Sequence, residues 1–161
     1  MAQVAVIGAA ACTPEEYETA RAVGHLLAEN NVTLVCGGRG GVMEAACKGA
    51  REMNGTTVGI LPDTGNGNEY LTVIIRSGLG HARNVLVVQS GDAVIAVGGS
   101  HGTLSEIAHA LKTGRPVFGI KTWEIPGVTA CATPEEAVVM AVRAARQSLA
   151  SRTRQAGQGS P

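Results

Sequence analysis

The stretch AVIAVGGSHGTLSEI, residues 93–107, contains a short apolar run, a glycine-rich bend and the start of a helix. The run over 93–97 has the composition of a fully buried strand. Gly98 and Gly99 break it, and the Thr103/Glu106 spacing is that of a capping box, which predicts a helix from Thr103 to Gly114. A helix start needs only a capping residue, so the glycines call for a second explanation.

The same order of strand, bend and helix recurs along the chain. Capping boxes at Thr13/Glu16 and Thr133/Glu136 predict two more helices. HARNVLVVQSG, 81–91, contains strand formers, but its place between two strands favours a helix. Apolar runs predict further strands at QVAVIG (3–8), VTLVC (32–36), TVGILP (57–62), TVIIR (72–76) and PVFGI (116–120). We therefore predict an α/β fold: a doubly wound, Rossmann-like parallel sheet of six to seven strands with helices on both faces.

The domain organisation follows from length and composition. Residues 1–150 are predicted to form one domain, and the polar segment 151–161 is predicted to be a disordered tail. Lys plus Arg and Asp plus Glu number 13 each, and this zero net charge argues against nucleic-acid and membrane-surface binding. No apolar stretch is long enough to span a bilayer, and the four cysteines lack a C-x-x-C spacing. We expect a cytoplasmic protein with free thiols.

The segment CGGRGGVME, 36–44, is the first candidate binding loop. Glycines let backbone N–H groups face outward, and the helix that follows adds partial positive charge, which suits a phosphate. The alternative is a tight strand-to-helix turn with a solvated arginine, but four glycines exceed what a turn needs. The segment is neither a Walker A loop nor a G-x-G-x-x-G fingerprint. Its candidate ligand-binding residues are Gly37, Gly38, Arg39, Gly40, Gly41 and Met43.

The segment GGSHGT, 98–103, is the second candidate loop. Its candidate ligand-binding residues are Gly99, Ser100, His101, Gly102 and Thr103, with an exposed loop histidine as the alternative for His101. Glu106 is either a catalytic carboxylate or the second member of a capping box. Arg83 lies near a predicted helix start, where a cation is disfavoured, which suggests that it faces a bound anion; the alternative is a surface arginine on a longer loop. The functional hypothesis requires that both glycine bends open onto one pocket.

These motifs in this order resemble those of the LONELY GUY-like superfamily of Rossmann-type proteins. LVCGGRGGVMEAACKGA is similar to the first glycine motif of that superfamily, and GHARNVLVVQSGDAVIAVGGSHGTLSEIAHALKTGRPV is similar to its arginine helix and second glycine motif. The superfamily includes cytokinin-activating phosphoribohydrolases and molybdenum cofactor carrier proteins. The short chain, with GGRGGVMEA and GTLSEIAHALKTGRPV, is most similar to the carrier branch. The resemblance implies a homodimer or homotetramer.

The resemblance also implies roles for two side chains. The arginine and glutamate that serve N-glycosidic cleavage in the hydrolases fall on Arg83 and Glu106. Asn84 stands where those enzymes have lysine, and 98–100 reads Gly-Gly-Ser where they have Pro-Gly-Gly. We therefore expect a binding protein for a phosphate-bearing ligand, either the molybdenum cofactor or a nucleotide. The alternatives are a nucleoside 5′-monophosphate phosphoribohydrolase and a nucleotide-sensing module, and no protein-bound metal is expected.

Overall fold

The computed structural model describes residues 1–158. Strands alternate with helices along most of the chain, and a 3₁₀ turn over Gly80–Ala82 precedes the third helix. The elements are β1 (Gln3–Gly8), α1 (Pro14–Glu29), β2 (Thr33–Cys36), α2 (Val42–Glu52), β3 (Thr57–Leu61), β4 (Val73–Arg76), α3 (Arg83–Ser90), β5 (Ala93–Val97), α4 (His101–Lys112), β6 (Val117–Ile120), β7 (Val128–Ala130) and α5 (Pro134–Gln158). Among these residues no helix is long and apolar enough to cross a membrane.

The strands within residues 1–158 form one seven-stranded sheet in the order β4-β3-β2-β1-β5-β6-β7. Each neighbouring pair is parallel; Val6 of β1, for example, is paired with Ile95 of β5. The chain proceeds outward from β1 to one edge, then returns to build the other half from β5. This reversal makes the carboxyl ends of β1 and β5 the switch point, the place where sheets of this kind bind ligands. The predicted α/β, doubly wound class is confirmed.

The core has two layers because successive strand residues point to opposite faces of the sheet. On one face Val4, Val6 and Ile95 pack under α1, α2 and α5. On the other face Ala5, Ile7 and Val94 pack under α3 and α4. Both faces of the central strands are buried, which explains their continuous apolar runs.

Two helices begin at the predicted capping boxes. The Glu16 N–H donates to Thr13 Oγ1 at 3.1 Å, and the Thr13 N–H donates to Glu16 Oε2 at 2.9 Å. At the start of α5 the Glu136 N–H donates to Thr133 Oγ1 at 3.2 Å, but the Glu136 carboxylate accepts from the Ala132 N–H instead of that of Thr133, so only half of this capping box forms. The segment 81–91 is helical from Arg83 to Ser90, as its position between two strands predicts.

The prediction that Thr103 caps α4 is wrong. Gly98 and Gly99 have φ of 53° and 118°, and they turn the chain early enough for the helix to begin at His101 with Ser100 as N-cap. The first helical hydrogen bond runs from the Leu104 N–H to the Ser100 carbonyl at 3.0 Å. Thr103 and Glu106 therefore lie inside the helix, and Glu106 does not belong to a capping box.

The prediction of a disordered segment after residue 150 is wrong for 151–158, which continue α5. Arg152 forms an ion pair with the Asp92 carboxylate, and Asp92 also accepts a hydrogen bond from the Gln3 N–H. This contact joins the last helix to the starts of β1 and β5. Residues 159–161 of the predicted tail lie outside the described residues.

Candidate functional site

The two glycine bends lie at the carboxyl ends of the parallel strands, one on each side of the carboxyl end of β1. The first follows β2 and the second follows β5, and both strands pair with β1. The first bend is tied to the loop after β1, because the Val42 N–H donates to the Ala9 carbonyl at 3.1 Å. Beside the second bend, the Glu16 carboxylate of α1 lies against Gly98.

Arg83 connects the first bend to α4. Its Nη2 donates to the Gly37 carbonyl at 3.3 Å, and its Nη1 lies 3.9 Å from Glu106 Oε1 and also donates to Asn84 Oδ1. The Arg83 and Glu106 side chains are each only 9% exposed. One guanidinium thus joins the first candidate loop to Glu106, which lies inside the helix that follows the second loop.

Burial dominates the electrostatics of this pair. It raises the pKa of the Glu106 carboxyl to about 7, although the Arg83 guanidinium acts in the opposite direction. Burial also lowers the pKa of Arg83 from its usual value. Both charges are held where water solvates them poorly, an arrangement typical of functional sites.

Two buried polar atoms in the same region are unsatisfied. Arg83 Nε and Thr103 Oγ1 have no hydrogen-bond partner among residues 1–158. Thr103 lies beneath the second bend, where a Cβ built on Gly99 would be 2.6 Å from the hydroxyl oxygen. Most buried polar groups in folded proteins find a partner, so these two require an explanation.

The helices that follow the bends begin without side-chain caps. Within the described chain neither Gly41, the N-cap of α2, nor Ser100, the N-cap of α4, makes a side-chain capping hydrogen bond. The N–H groups of His101, Gly102 and Thr103 have no acceptor in residues 1–158. This leaves free donors and partial positive charge at the sheet edge, the requirement for anion binding.

The glycines of the bends are of two kinds. Gly41 has φ of 63°, and a Cβ there would lie 2.3 Å from the Ala9 carbonyl oxygen, so the fold requires glycine. At Gly102 a Cβ would meet nothing within 4 Å among the described residues, and at Gly40 its nearest contact is ordinary, at 3.5 Å. Gly40 and Gly102 have no steric role in the protein itself.

The other predicted residues of the first bend lie around Gly37 and Gly38. A Cβ on Gly37 would clash with Arg83, and Met43 Sδ lies against the same point. Gly38 is buried, and its carbonyl accepts from the Asn68 N–H at 2.9 Å. Arg39 is exposed and lines a cavity of about 320 Å³ that Gly40, Glu44, Asp63 and Asn68 also line.

Sequence reasoning missed one neighbour of the bends, Asn68, and interpreted another, Trp123, as a packing or interface residue. Asn68 Nδ2 donates to the Arg39 carbonyl at 3.0 Å, so the Gly- and Asn-rich segment 62–69 supports the first bend. Trp123 Nε1 donates to the Ser100 carbonyl at 3.1 Å, and its ring centroid lies 6.1 Å from that of the exposed His101. The signal available for Trp123 is that it is the single tryptophan of the chain.

Below the first bend, two thiols are buried side by side. Cys36 Sγ lies 3.5 Å from Cys47 Sγ and accepts a hydrogen bond from the Gly38 N–H at 3.3 Å. The hydrogen bond with Cys36 raises the pKa of Cys47, and burial raises it further. In residues 1–158 no group of three or more His, Cys, Asp or Glu side chains is arranged to hold a metal ion.

Comparison with protein-family models identifies the family of the chain. The model described as the SLOG cluster4 family matches residues 1–150. The chain belongs to the SLOG cluster4 family. This confirms the relationship to LONELY GUY-like proteins near the carrier branch that the motifs predict.

Relatives of this SLOG cluster4 protein include an uncharacterized protein from Archaeoglobus fulgidus, 49% identical over 138 residues, covering 84% of this chain and 91% of the relative. The solved molybdenum cofactor binding protein from Rippkaea orientalis is 36% identical, with a TM-score of 0.82, covering 86% of this chain and 94% of that one. The molybdenum cofactor carrier protein from Chlamydomonas reinhardtii is 32% identical, with a TM-score of 0.81, covering 93% and 99%.

Proposed function

We propose that this protein binds a phosphate-bearing, nucleotide-like ligand at the carboxyl edge of its sheet. The observation that carries the proposal is the Arg83 guanidinium, which is buried between the first glycine bend and Glu106 of α4, beside two helices that begin without a side-chain cap. Free N–H groups at helix starts bind phosphate oxygens, and a nearby arginine balances the charge. Arg83 itself fills the space between the first bend and α4, so the ligand lies over this guanidinium.

The glycines support this position for the ligand. Gly40 and Gly102 keep open space that the protein does not use, one in each bend. Glycine at such positions allows a ligand to approach the backbone closely. Arg39, exposed beside Gly40, adds a cation that can reach the same anion.

We propose the molybdenum cofactor as the cargo, because its pterin carries a terminal phosphate. The solved relatives at 36% and 32% identity are molybdenum cofactor binding and carrier proteins. The chemistry of the donor set fits this group at its phosphate end: Gly102 and Thr103 would offer N–H donors, and Arg39 and Arg83 would offer positive charge.

A second candidate is hydrolysis of the N-glycosidic bond of a nucleoside 5′-monophosphate. The observation that favours it is the Arg83–Glu106 pair, with a carboxyl whose pKa is raised to about 7. Bond cleavage develops oxocarbenium character on the ribose, which a carboxylate stabilises while it activates water. Arg83 would orient the sugar phosphate in that reaction.

The two candidates are separated by incubating the purified protein with AMP and measuring free adenine by chromatography. A pure binding protein releases no adenine, yet AMP and ribose 5-phosphate raise its melting temperature. We expect that rise to be lost in Arg39→Ala and kept in Arg143→Ala, a control at an exposed arginine of α5. Sustained adenine release that disappears in Glu106→Gln would contradict the binding proposal and support the hydrolase.

We further propose that the protein is a cytoplasmic homodimer or homotetramer. Edge strand β4 supports self-association, because Val73 and Ile75 are each 45% exposed and Leu79 follows them at 55%. Exposed apolar side chains in one region of a surface are typical of interfaces. Light scattering during gel filtration should give a mass of two or four times 16.4 kDa. A mass of one chain at all concentrations would contradict this.

A further inference from the structure

We propose that a cavity beside the second glycine bend holds the flat, fused heterocycle of the ligand, a pterin or a purine. The cavity has a volume of about 420 Å³ and lies at the carboxyl ends of β6 and β7. Ligand pockets in proteins occupy about 300–1,000 Å³, so it has room for a bicyclic ring. This inference rests on the proposed function, because it assumes that the ligand's phosphate lies at the start of α4.

The cavity wall and the second bend are built together. Trp123 Nε1 donates to the Ser100 carbonyl at 3.1 Å, and Thr122 Oγ1 donates to the Gly98 carbonyl at 2.5 Å. Trp123 and Thr122 also line the cavity. A molecule whose phosphate contacts 100–103 therefore has the cavity as its immediate neighbour.

The lining has the chemistry of a heterocycle site. Trp123 offers an indole that is 36% exposed, and Ile125, Pro126 and Val128 provide an apolar wall. Indole faces stack well on other aromatic rings, and apolar walls with a few polar groups are typical of ligand pockets. Glu124 supplies an acceptor for the polar edge of the ring, and Lys121, whose ammonium is paired with the Glu15 carboxylate, lines the same cavity.

The backbone at the start of this segment is strained. Lys121, which directly follows β6, has φ of 47°, in the left-handed region that non-glycine residues rarely adopt. Such strain persists where the surrounding structure maintains it, and it is concentrated at ligand sites. Here it turns the chain out of β6 so that 122–126 fold over the cavity.

The test uses Trp123 as an intrinsic probe, since it is the chain's single tryptophan. Tryptophan emission, corrected for ligand absorption, and calorimetry are recorded during titration with neopterin monophosphate, GMP, AMP and ribose 5-phosphate. We expect at least one ring-bearing phosphate to quench Trp123 and to bind at least tenfold more tightly than ribose 5-phosphate. Preference for the neopterin compound identifies a pterin site, and preference for GMP or AMP identifies a purine site.

Variants show where the ring lies. In Trp123→Ala the calorimetric affinity for ring-bearing phosphates should fall at least tenfold, whereas the affinity for ribose 5-phosphate should be unchanged. Trp123→Phe keeps an aromatic face and should therefore retain much of the affinity for the ring. Val139→Ala, at an exposed apolar residue of α5 outside the cavity, serves as the control. If Trp123→Ala does not fold, Ile125→Ala is compared with Trp123→Phe instead. We expect Ile125→Ala to lose affinity for ring-bearing phosphates and Trp123→Phe to keep most of it.

The outcomes separate the two proposals. If ribose 5-phosphate binds as tightly as the ring-bearing phosphates, the heterocycle site is wrong and the phosphate site stands. The same conclusion follows if the ring increases affinity without quenching Trp123 and without any effect of the Trp123 substitutions. If no phosphate compound binds at all, both proposals are wrong. Quenching by neopterin itself, without its phosphate, at equal affinity would support the cavity and contradict the phosphate site.

Discussion

Glu106 and Arg83 face each other in a part of the protein that water barely reaches. Their closest polar atoms are 3.9 Å apart, too far for a strong hydrogen bond, and Arg83 Nε has no partner among the described residues. A buried pair with imperfect geometry contributes little to stability and can reduce it. We therefore predict that the pair serves ligand binding or catalysis and not the stability of the fold.

Replacement of Glu106 by glutamine should change how stability depends on pH. The folded-state pKa of about 7 lies above the usual 4.5, so the folded protein binds the extra proton between these values. Wild-type stability therefore falls as pH rises from about 4.5 to 7, by on the order of 3 kcal/mol, and then levels off. Urea unfolding should show that, from pH 5 to pH 8, the free energy of unfolding of Glu106→Gln rises relative to that of wild type by about this amount. Parallel pH profiles would contradict the raised pKa.

Gly102 and Gly41 form a matched pair for separating ligand binding from folding. Gly102→Ala should leave the melting temperature unchanged or raise it slightly, because the site is open and alanine favours a helix by up to about 1 kcal/mol. The same variant should bind AMP or ribose 5-phosphate at least tenfold more weakly by calorimetry. Gly41→Ala should instead lower the melting temperature, since it combines a positive φ with a backbone clash. Wild-type affinity in Gly102→Ala would count against the second bend as a ligand contact.

At the scale of elements, four of the five helices in residues 1–158 fall into two groups by the way they begin. α1 and α5 start at Thr-Pro-Glu-Glu sequences whose threonine accepts a backbone N–H, whereas α2 and α4 start at glycine bends that lack a side-chain cap within residues 1–158. Capped starts satisfy their donors internally. The second group keeps its donors for another partner, and these are the helices at the candidate site.

Local patterns were enough to predict the parallel sheet and the capped helices, because apolar runs and capping boxes act over a few residues. They failed for β7, a three-residue strand with two exposed positions, and for the start of α4, where positive φ at Gly98 and Gly99 decides the boundary. The Arg83–Gly37 contact joins residues 46 apart. Contacts of this kind depend on topology, so sequence supplied the motif but not the geometry of the site.

The contrast between helix starts predicts different costs for two similar substitutions. Thr13→Ala removes the α1 cap and should lower the free energy of unfolding by about 1 kcal/mol. Ser100→Ala should change it by less than about 0.5 kcal/mol, because among the described residues the Ser100 side chain caps nothing. Chemical denaturation of both variants beside wild type measures the difference. Equal losses would show that Ser100 acts as an ordinary cap.

Across the whole molecule, the candidate site lies at the carboxyl ends of the parallel strands, and the last helix is attached at their amino ends. The bends and Arg83 occupy the carboxyl edge, whereas Asp92 precedes β5 at the amino edge and joins Gln3 to Arg152 of α5. The Asp92 side chain is only 2% exposed, and it makes polar contacts with the Gln3 N–H and with Arg152. Stability and ligand binding can therefore be perturbed separately.

Arg152→Ala should destabilise the protein without affecting the site. Removing the partner of a buried carboxylate costs about 1–3 kcal/mol, reduced here because Arg152 is half exposed. We expect a lower melting temperature together with unchanged affinity for AMP or ribose 5-phosphate. Arg143→Ala on the same helix is the control and should be neutral. An unchanged melting temperature in Arg152→Ala would mean that residues 151–158 add nothing to the fold.

The account depends most on the two glycine bends forming one anion site. Nuclear magnetic resonance of ¹⁵N-labelled protein titrated with neopterin monophosphate or AMP tests this directly. We predict that the backbone amide signals of Gly40 and Gly41 and those of Gly99 and Gly102 shift together and fit a single dissociation constant. Shifts confined to one bend, or two bends that titrate with different constants, would contradict it.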